Sequence, residues 1–446
     1  MKWLKRSAIA FGILLAILAA LPFFISLNDY IPAIEREASA RLKEPVMIRS
    51  LRAAVLPVPH LTVAGIAVGK TGDVKVGSVT VTPDLFSLLA SVKIIRSIEV
   101  DGLVLAEKAF DKIPVWAKSD DSKEPARVRI RNIRLDGAVV HLGKTSFGPF
   151  DARIRISDGG EPQEAYISTR DGALTATVRP DQRNYRIDAN AKSWKLPVGP
   201  PVLFDELSVK GVTTPNSATL NEISARLYGG TIKGTAALRW QKGMQLTGRF
   251  DVHQVELKEL VPLLSPGNRV SGRLNAKPVL SATAASAAQL ADALRLETPF
   301  SVHHGVLYGV DIQKAATSFI SKEPTRGETR FDELSGHLAM ARRAYRFTQL
   351  RIASGALAAS GNVSISPAKE LSGRINAKVK AAGIASASMP LNVTGTVHNP
   401  LLLPTGGTVA GAAVGTAILG PGVGTSLGAK VGEWTEGLFG KKEQKR

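Results

Sequence analysis

From Pro45 onward the chain is punctuated by Gly, Asp-Gly, Gly-Gly or Pro, and between these marks apolar and polar residues alternate. The breaks fall about every 8–12 residues, and a period of two sends successive side chains to opposite sides of an extended backbone. This rhythm restricts the body to a mainly β, antiparallel fold of short strands and tight turns. In EAYISTRDGALTATVRP the pair Asp171-Gly172 is expected to supply both positive-φ positions of a hairpin, and Gly229-Gly230 to do the same in RLYGGTIKGTAAL. Arg127, Arg129 and Arg131 alternate with Val128 and Ile130, and Arg153 and Arg155 with Ile154 and Ile156. Val128, Ile130, Ile154 and Ile156 are therefore the candidate lining of an apolar face whose reverse is wet. Helical spacing is confined to accessory segments at 83–91, 256–264, 286–297 and 310–322.

Internal similarity reinforces the β reading. IRSIEVDGLVL, Ile95 to Leu105, recurs as IRNIRLDGAVV, Ile130 to Val140; VSGRLNAK at Val270 recurs as LSGRINAK at Leu371; FDELS stands at Phe204 and at Phe331. Repeated strand modules predict a quasi-one-dimensional object in which neighbours stack and strand edges pass from one repeat to the next. About 25 strands at a spacing of about 4.8 Å would reach roughly 120 Å.

The N-terminus is of another kind. Ala8 to Leu27 carries no charge for 20 residues, and its apolar positions are Ala8, Ile9, Phe11, Ile13, Leu14, Leu15, Ile17, Leu18, Leu21, Phe23, Phe24, Ile25 and Leu27. At about 1.5 Å per residue such a helix covers the roughly 30 Å hydrocarbon core. Lys2, Lys5 and Arg6 precede it without an acid, which predicts a single-pass anchor with the N-terminus cytoplasmic and the body across the membrane. Against a cleavable signal peptide stand the length of the run and the lack of a clean small-x-small site. Beyond it, Asn28 or Asp29 is expected to cap a membrane-proximal helix with Ile31, Ile34, Ala38 and Leu42 on one face. The net charge of +19 points to polyanions, and behind such an anchor it meets lipid head groups sooner than nucleic acid.

No chemistry-bearing constellation emerges from the rest. Cysteine is absent, which excludes disulfides, thiolate metal sites and Cys nucleophiles. Ala138 to Thr145 approaches a phosphate-binding loop, but its interior VVHL reads as strand and cannot curl its amides round a phosphate. His303 and His304 are neighbours that an extended chain sends to opposite faces. The expectation is a non-enzyme with no cofactor and no metal. At the C-terminus Gly407, Gly411 and Gly415, then Gly424, Gly428 and Gly432, flank Gly420-Pro421-Gly422, and Val431, Trp434 and Leu438 precede a basic end. Small faces of this kind allow close helix approach, so this segment reads either as a membrane-docking or self-associating hairpin or as a flexible tail, packed on the β body or left mobile.

The chain resembles the AsmA-like family of Gram-negative envelope proteins, related in design to TamB, YhdP and the chorein-type bridge-like lipid-transfer proteins. The resemblance is carried by the basic-flanked anchor, EPVMIRSL, LPVPHLTVAGIAVG, VGSVTVTPDLFSLLASVKIIRSIEVDGLVL, TPFSVHHGVLYGVDIQKAATSF, FDELSGHLAMARRAYRFTQLRIASGALAASGNVSIS and LNVTGTVHNP. It implies an inner-membrane protein with a periplasmic, elongated, taco-shaped β groove that carries glycerophospholipid toward the outer membrane. The alternative it implies is an outer-membrane protein assembly factor or scaffold acting by strand-edge pairing. Expected partners are membrane phospholipids and an outer-membrane or periplasmic protein or a second copy, with no nucleic acid. The expected organisation is a cytoplasmic segment 1–7, the anchor 8–27, a membrane-proximal helix 28–45, β regions 46–265 and 266–404, and the Gly-rich tail 405–446.

Overall fold

In the computed structural model the described residues are 27–405, except 111, 113–127, 143–144, 183, 198–199, 242, 266–268, 287–288, 318–326 and 380–386. The expected anchor up to Ser26, with Lys2, Lys5 and Arg6, and the tail from Gly406, with all six glycines, Trp434 and Leu438, lie outside them. Among the described residues twenty-four strands form a large, mainly antiparallel sheet accompanied by a few short helices. Among the described residues no helix is long and apolar enough to cross a membrane. The chain divides into two compact units, Met1–Val198 with Val209–Asn216 and Gly199–Ser208 with Ser217–Arg446, so the division runs through the strand Leu203–Thr214.

In the first unit the strands are β1 (Val46–Met47), β2 (Ser50–Ala54), β3 (His60–Val68), β4 (Val74–Pro83), β5 (Lys93–Asp101), β6 (Val104–Ala106), β7 (Val128–Leu142), β8 (Thr145–Ile156), β9 (Pro162–Thr169), β10 (Leu174–Asp181) and β11 (Asn184–Lys195). They pair antiparallel with one departure from the expected meander: β5 and β6 lie parallel to β7. That departure joins the two copies of the first repeat. Ile95 faces Ile130, Asp101 faces Asp136 and Leu105 faces Val140, a constant offset of 35 that matches the sequence repeat, with an irregularity at Arg96 where β5 bulges. A parallel pair needs a long crossover, which the chain between β6 and β7 provides. The other recurring phrases fall on strands that do not pair with each other in the known registers.

A 3-10 turn, Leu27–Tyr30, leads into the helix Ile31–Leu42, which ends with Lys43 in the left-handed region. The expected cap is not used. Tyr30 occupies the N-cap position without a side-chain bond, and Asn28 Oδ1 instead accepts from the Leu51 amide at 3.0 Å. Ala38 and Leu42 pack on Val46, Val68 and Val74, whereas Ile34 remains exposed. A clasp closes this end: Lys112 Nζ donates to Glu44 Oε1 at 2.6 Å and to Asp73 Oδ2 at 2.9 Å, and Thr71 donates to Asp73 Oδ1 at 2.5 Å. These hydrogen bonds hold the Asp73 carboxyl below the usual carboxylate range, Thr71 contributing most and Lys112 next.

In the second unit the helices Leu257–Leu264 and Ile312–Thr317 pack on the sheet and form its core, with Val255, Ala377 and Leu391 wholly buried. The helical expectation at 286–297 shrinks to Leu290–Ala293, because Arg295 already opens a long strand, Arg295–Tyr308. Turn chemistry also differs in detail from the sequence reading. At Asp171-Gly172 only Gly172 has positive φ, at 69°, while Asp171 accepts from the Ala173 amide and the Thr169 hydroxyl. Leu227 pairs with Gly230, so the two-residue turn is Tyr228-Gly229, with φ of 47° and 73°, rather than Gly229-Gly230.

Candidate functional site

Registers in the first unit bring apolar residues from nine strands, β2 to β5 and β7 to β11, into two straight rows. One runs Leu51, Val63, Val79, Val100, Leu135, Ala152, Ile167, Ala176, Ala189. Beside it run Ala53, Leu61, Val81, Ile98, Ile133, Ile154, Ala165, Val178 and Ile187. Directly paired residues share a face of the sheet, and residues two apart on a strand share it too, so all eighteen lie on one side. Eight strand spacings of about 4.8 Å make each row roughly 38 Å long.

The reverse face is polar along its whole width. One cross-strand row reads Arg52, Thr62, Thr80, Glu99, Arg134, Arg153, Tyr166, Thr177, Asp188. Glu164 on this face takes ion pairs from Arg179, at 2.7 Å, and from Arg155, and the two guanidiniums hold its carboxyl below the ordinary value. Such separation of apolar from charged residues is what an antiparallel sheet with one solvated face requires.

The opposite requirement, a cover for the apolar face, is met only in part. Sixteen of the eighteen row residues are half-buried; Leu51 and Ala152 alone are buried. The helices of this unit pack elsewhere, Ile31–Leu42 on β1 and Glu107–Phe110 on β6 and β7. Gly65, Gly102 and Gly137, with φ between 63° and 68°, stand next to the first row, where an L side chain would be strained and a Cβ on Gly65 would lie 2.7 Å from that of Arg49. They let the backbone turn sharply where the apolar rows stop.

The second unit contains a comparable row, Leu220, Ala236, Gly248, Leu280, Leu296, Met340, Tyr345, Ile365 and Leu371, again crossing nine strands. All but Gly248 are half-buried. On the same face, however, Val255, Val302, Ala377 and Met389 are buried beneath the two helices named above.

The registers locate the four candidate lining residues. Ile154 pairs with Ile133 in the second apolar row, and Ile156, two residues on, lies on the same side. Val128 and Ile130 lie on that side too: β5 bulges at Arg96, so that Ile95 pairs with Pro83 on the side of Val79 and Val81, and Ile130 pairs with Ile95, with Val128 two residues before it and half its surface exposed. Arg131 and Asn132, two exposed polar residues in succession, stand beside that bulge, which keeps Ile130 and Ile133 on one side although they are three residues apart. Ile98, Val100, Ile133 and Leu135 are lining residues that alternation within one strand did not reveal. The 35-residue repeat was the signal for them, since it aligns the two VD/LD phrases.

Among the described residues no group of three or more His, Asp or Glu side chains converges as a metal site would need. What fold and face define is a long β sheet with one charged side and one aliphatic side left partly uncovered. The sequence model of the AsmA family matches residues 174–347, from β10 into the strand Ala344–Ala353 of the second unit, and over that stretch the chain is AsmA-like. No curated protein and no solved structure matches it.

Proposed function

We propose that this protein is a non-enzymatic lipid carrier of the bacterial envelope, held in the inner membrane by Ala8–Leu27, with a periplasmic body that passes glycerophospholipid toward the outer membrane. One observation carries the reading: two aliphatic rows cross nine strands of the first unit, and most of their residues are only half-buried. Acyl chains are the natural cover for such a face, because each methylene removed from water contributes about 0.8 kcal/mol and asks for no directional partner. The charged reverse side keeps the same sheet soluble. AsmA-like sequence over residues 174–347 supports an envelope-associated role.

Photoreactive side chains test it directly. Placed at Ile154 and Ile133, they should capture phospholipid in cells; placed at Arg153 and Arg134 on the other face, they should not. Equal labelling of the two pairs would remove the proposal. The rival reading, a scaffold lending strand edges to nascent outer-membrane proteins, would show instead as captured polypeptide at the edge strand Asn399–Pro404. Pro400 and Pro404 deprive that edge of two amide donors, which weakens it as a template.

A further inference from the structure

The loop between β4 and β5 is built the wrong way round for a water-exposed loop. Its 3-10 turn, Leu85–Leu89, leaves Phe86 91% and Leu89 96% exposed, while Ser87 is buried. Fixed hydrogen bonds enforce this orientation. Asp84 Oδ1 accepts from the Phe86 amide at 3.1 Å, Ser87 Oγ donates to the Asp84 carbonyl at 2.7 Å, and the Ile94 amide donates to Ser87 Oγ at 2.8 Å. Lys93 Nζ reaches the Ala90 carbonyl at 2.8 Å, and Arg96 pairs with Asp84 at 3.6 Å. A polar side chain is thus spent inside to hold two large apolar ones outside.

Neighbouring elements add to the same rim. Registers put the β2–β3 loop beside this one, and in it Leu56 is 57% and Val58 41% exposed. Val128 opens β7 opposite Lys93 and is 51% exposed, followed by exposed Arg129 and Arg131. Scattered apolar residues on a surface need no explanation, but five at one end of adjoining strands, with cations next to them, have the composition of an interfacial contact.

The course of the N-terminal chain says what meets it. Ser39 accepts from the Val46 amide, Glu35 from Ile48 and Asn28 from Leu51. Moving back along the helix therefore moves forward along β1 and β2, toward Ala54 and the Leu56 loop. The described chain therefore begins, at Leu27, on the side of this rim, and it is at Leu27 that the 20 uncharged residues of the sequence end.

We infer that the rim formed by the β2–β3 and β4–β5 loops seats on the bilayer in which the anchor lies, Phe86 and Leu89 entering the acyl boundary and Arg129 and Arg131 meeting anionic head groups. The inference rests on the anchored lipid-carrier reading and adds to it the surface at which the apolar rows meet the membrane.

Because the chain has no cysteine, single-cysteine variants are clean probes. Full-length Phe86→Cys, Leu89→Cys and, as a control on the polar face, Asp188→Cys would carry bimane and be reconstituted in phosphatidylethanolamine–phosphatidylglycerol vesicles containing nitroxide-labelled acyl chains. The expected result is strong quenching and a blue shift at 86 and 89 and neither at 188. A double Phe86→Ser, Leu89→Ser variant should load phospholipid about tenfold more slowly with an unchanged melting curve. Emission at 86 and 89 as water-exposed as at 188 would overturn the inference, as would disulfides between two copies at 86 without quenching. Either result with phospholipid still bound to the wild-type protein would leave the carrier reading intact. Quenching at 86 and 89 in a protein that never carries lipid would sustain the rim and sink the carrier.

Discussion

Ile154→Asp places a carboxylate in the middle of the second apolar row, between Ile133 and Ala165. Full burial of an isoleucine is worth about 1.5–3 kcal/mol, and Ile154 is half-buried, so the cost to the fold is roughly 1 kcal/mol. The empty face still admits water, and the charge stays hydrated there. Once acyl chains cover the row the balance changes. If the carboxylate keeps about three methylenes hydrated, at about 0.8 kcal/mol each, lipid loses about 2.4 kcal/mol, or roughly fiftyfold in occupancy. Asn132→Asp is the control, since it adds the same charge to the polar face beside Arg155. Native mass spectrometry of the full-length proteins from a mild detergent would count bound phospholipid. Substantial lipid loss in Ile154→Asp with Asn132→Asp near wild type is expected. Equal lipid in both variants, with both folded, would refute the assignment of faces and with it the carrier argument.

The clasp at Asp73 gives a pH signature. Its folded pKa lies below the usual 3.8, so its contribution is full above about pH 4 and fades as pH falls through the lowered value, while Lys112, raised above 10.5, loses its share only at strongly alkaline pH. The melting-temperature gap between wild type and Asp73→Asn should therefore be flat from about pH 5 to 9 and close in acid; a gap that widens in acid would contradict the clasp. At the Tyr228-Gly229 turn nothing stands within 4 Å of an added Cβ, so Gly229→Ala should cost only about 1 kcal/mol of conformational strain. Gly305→Ala meets the Ser271 carbonyl and the Phe331 ring and should cost more; denaturant melts showing the reverse order would undo both assignments. For the C-terminal segment, a Thr405–Arg446 peptide mixed with anionic vesicles should blue-shift Trp434 emission at low salt and lose the shift as salt rises; no shift at any salt would return it to a mobile tail.

Strand content was legible because turn residues and alternation act locally: Gly172 and Gly229 do sit in turns, and helices at 257–264 and 312–317 fall inside the segments expected to hold them. Which residue of a turn takes positive φ was less so. Tyr228 adopts it because its hydroxyl accepts from the Leu203 amide at 3.1 Å, a contact far away in sequence. Asn28 is a similar case, its side chain drawn from the helix cap to an edge-strand amide. Faces were the hardest to read. In β8 alternation alone put Ile154 and Ile156 on the apolar side, but in β7 it could not be carried from Ile130 to Ile133, since the bulge beside Arg96 adds a residue and reverses the parity across it.

The parallel pairing of β5 with β7 explains why that change of parity is harmless to the protein. An offset of 35 puts Ile98 on Ile133 and Val100 on Leu135, and it also puts Glu99 on Arg134 across the polar face. A slip of one residue would bring Arg134 into the apolar row against Ile98 or Val100 and leave Ile133 or Leu135 among the charges. The cost of burying an unpaired guanidinium forbids that slip wherever the row is covered, by side chains or by lipid. Register here is thus fixed by the same two-faced pattern that creates the apolar rows. The repeat in the sequence is its record: duplicating a strand and pairing the copies in register keeps both faces sorted at every added repeat, so an aliphatic row can lengthen strand by strand without a new core to cover it.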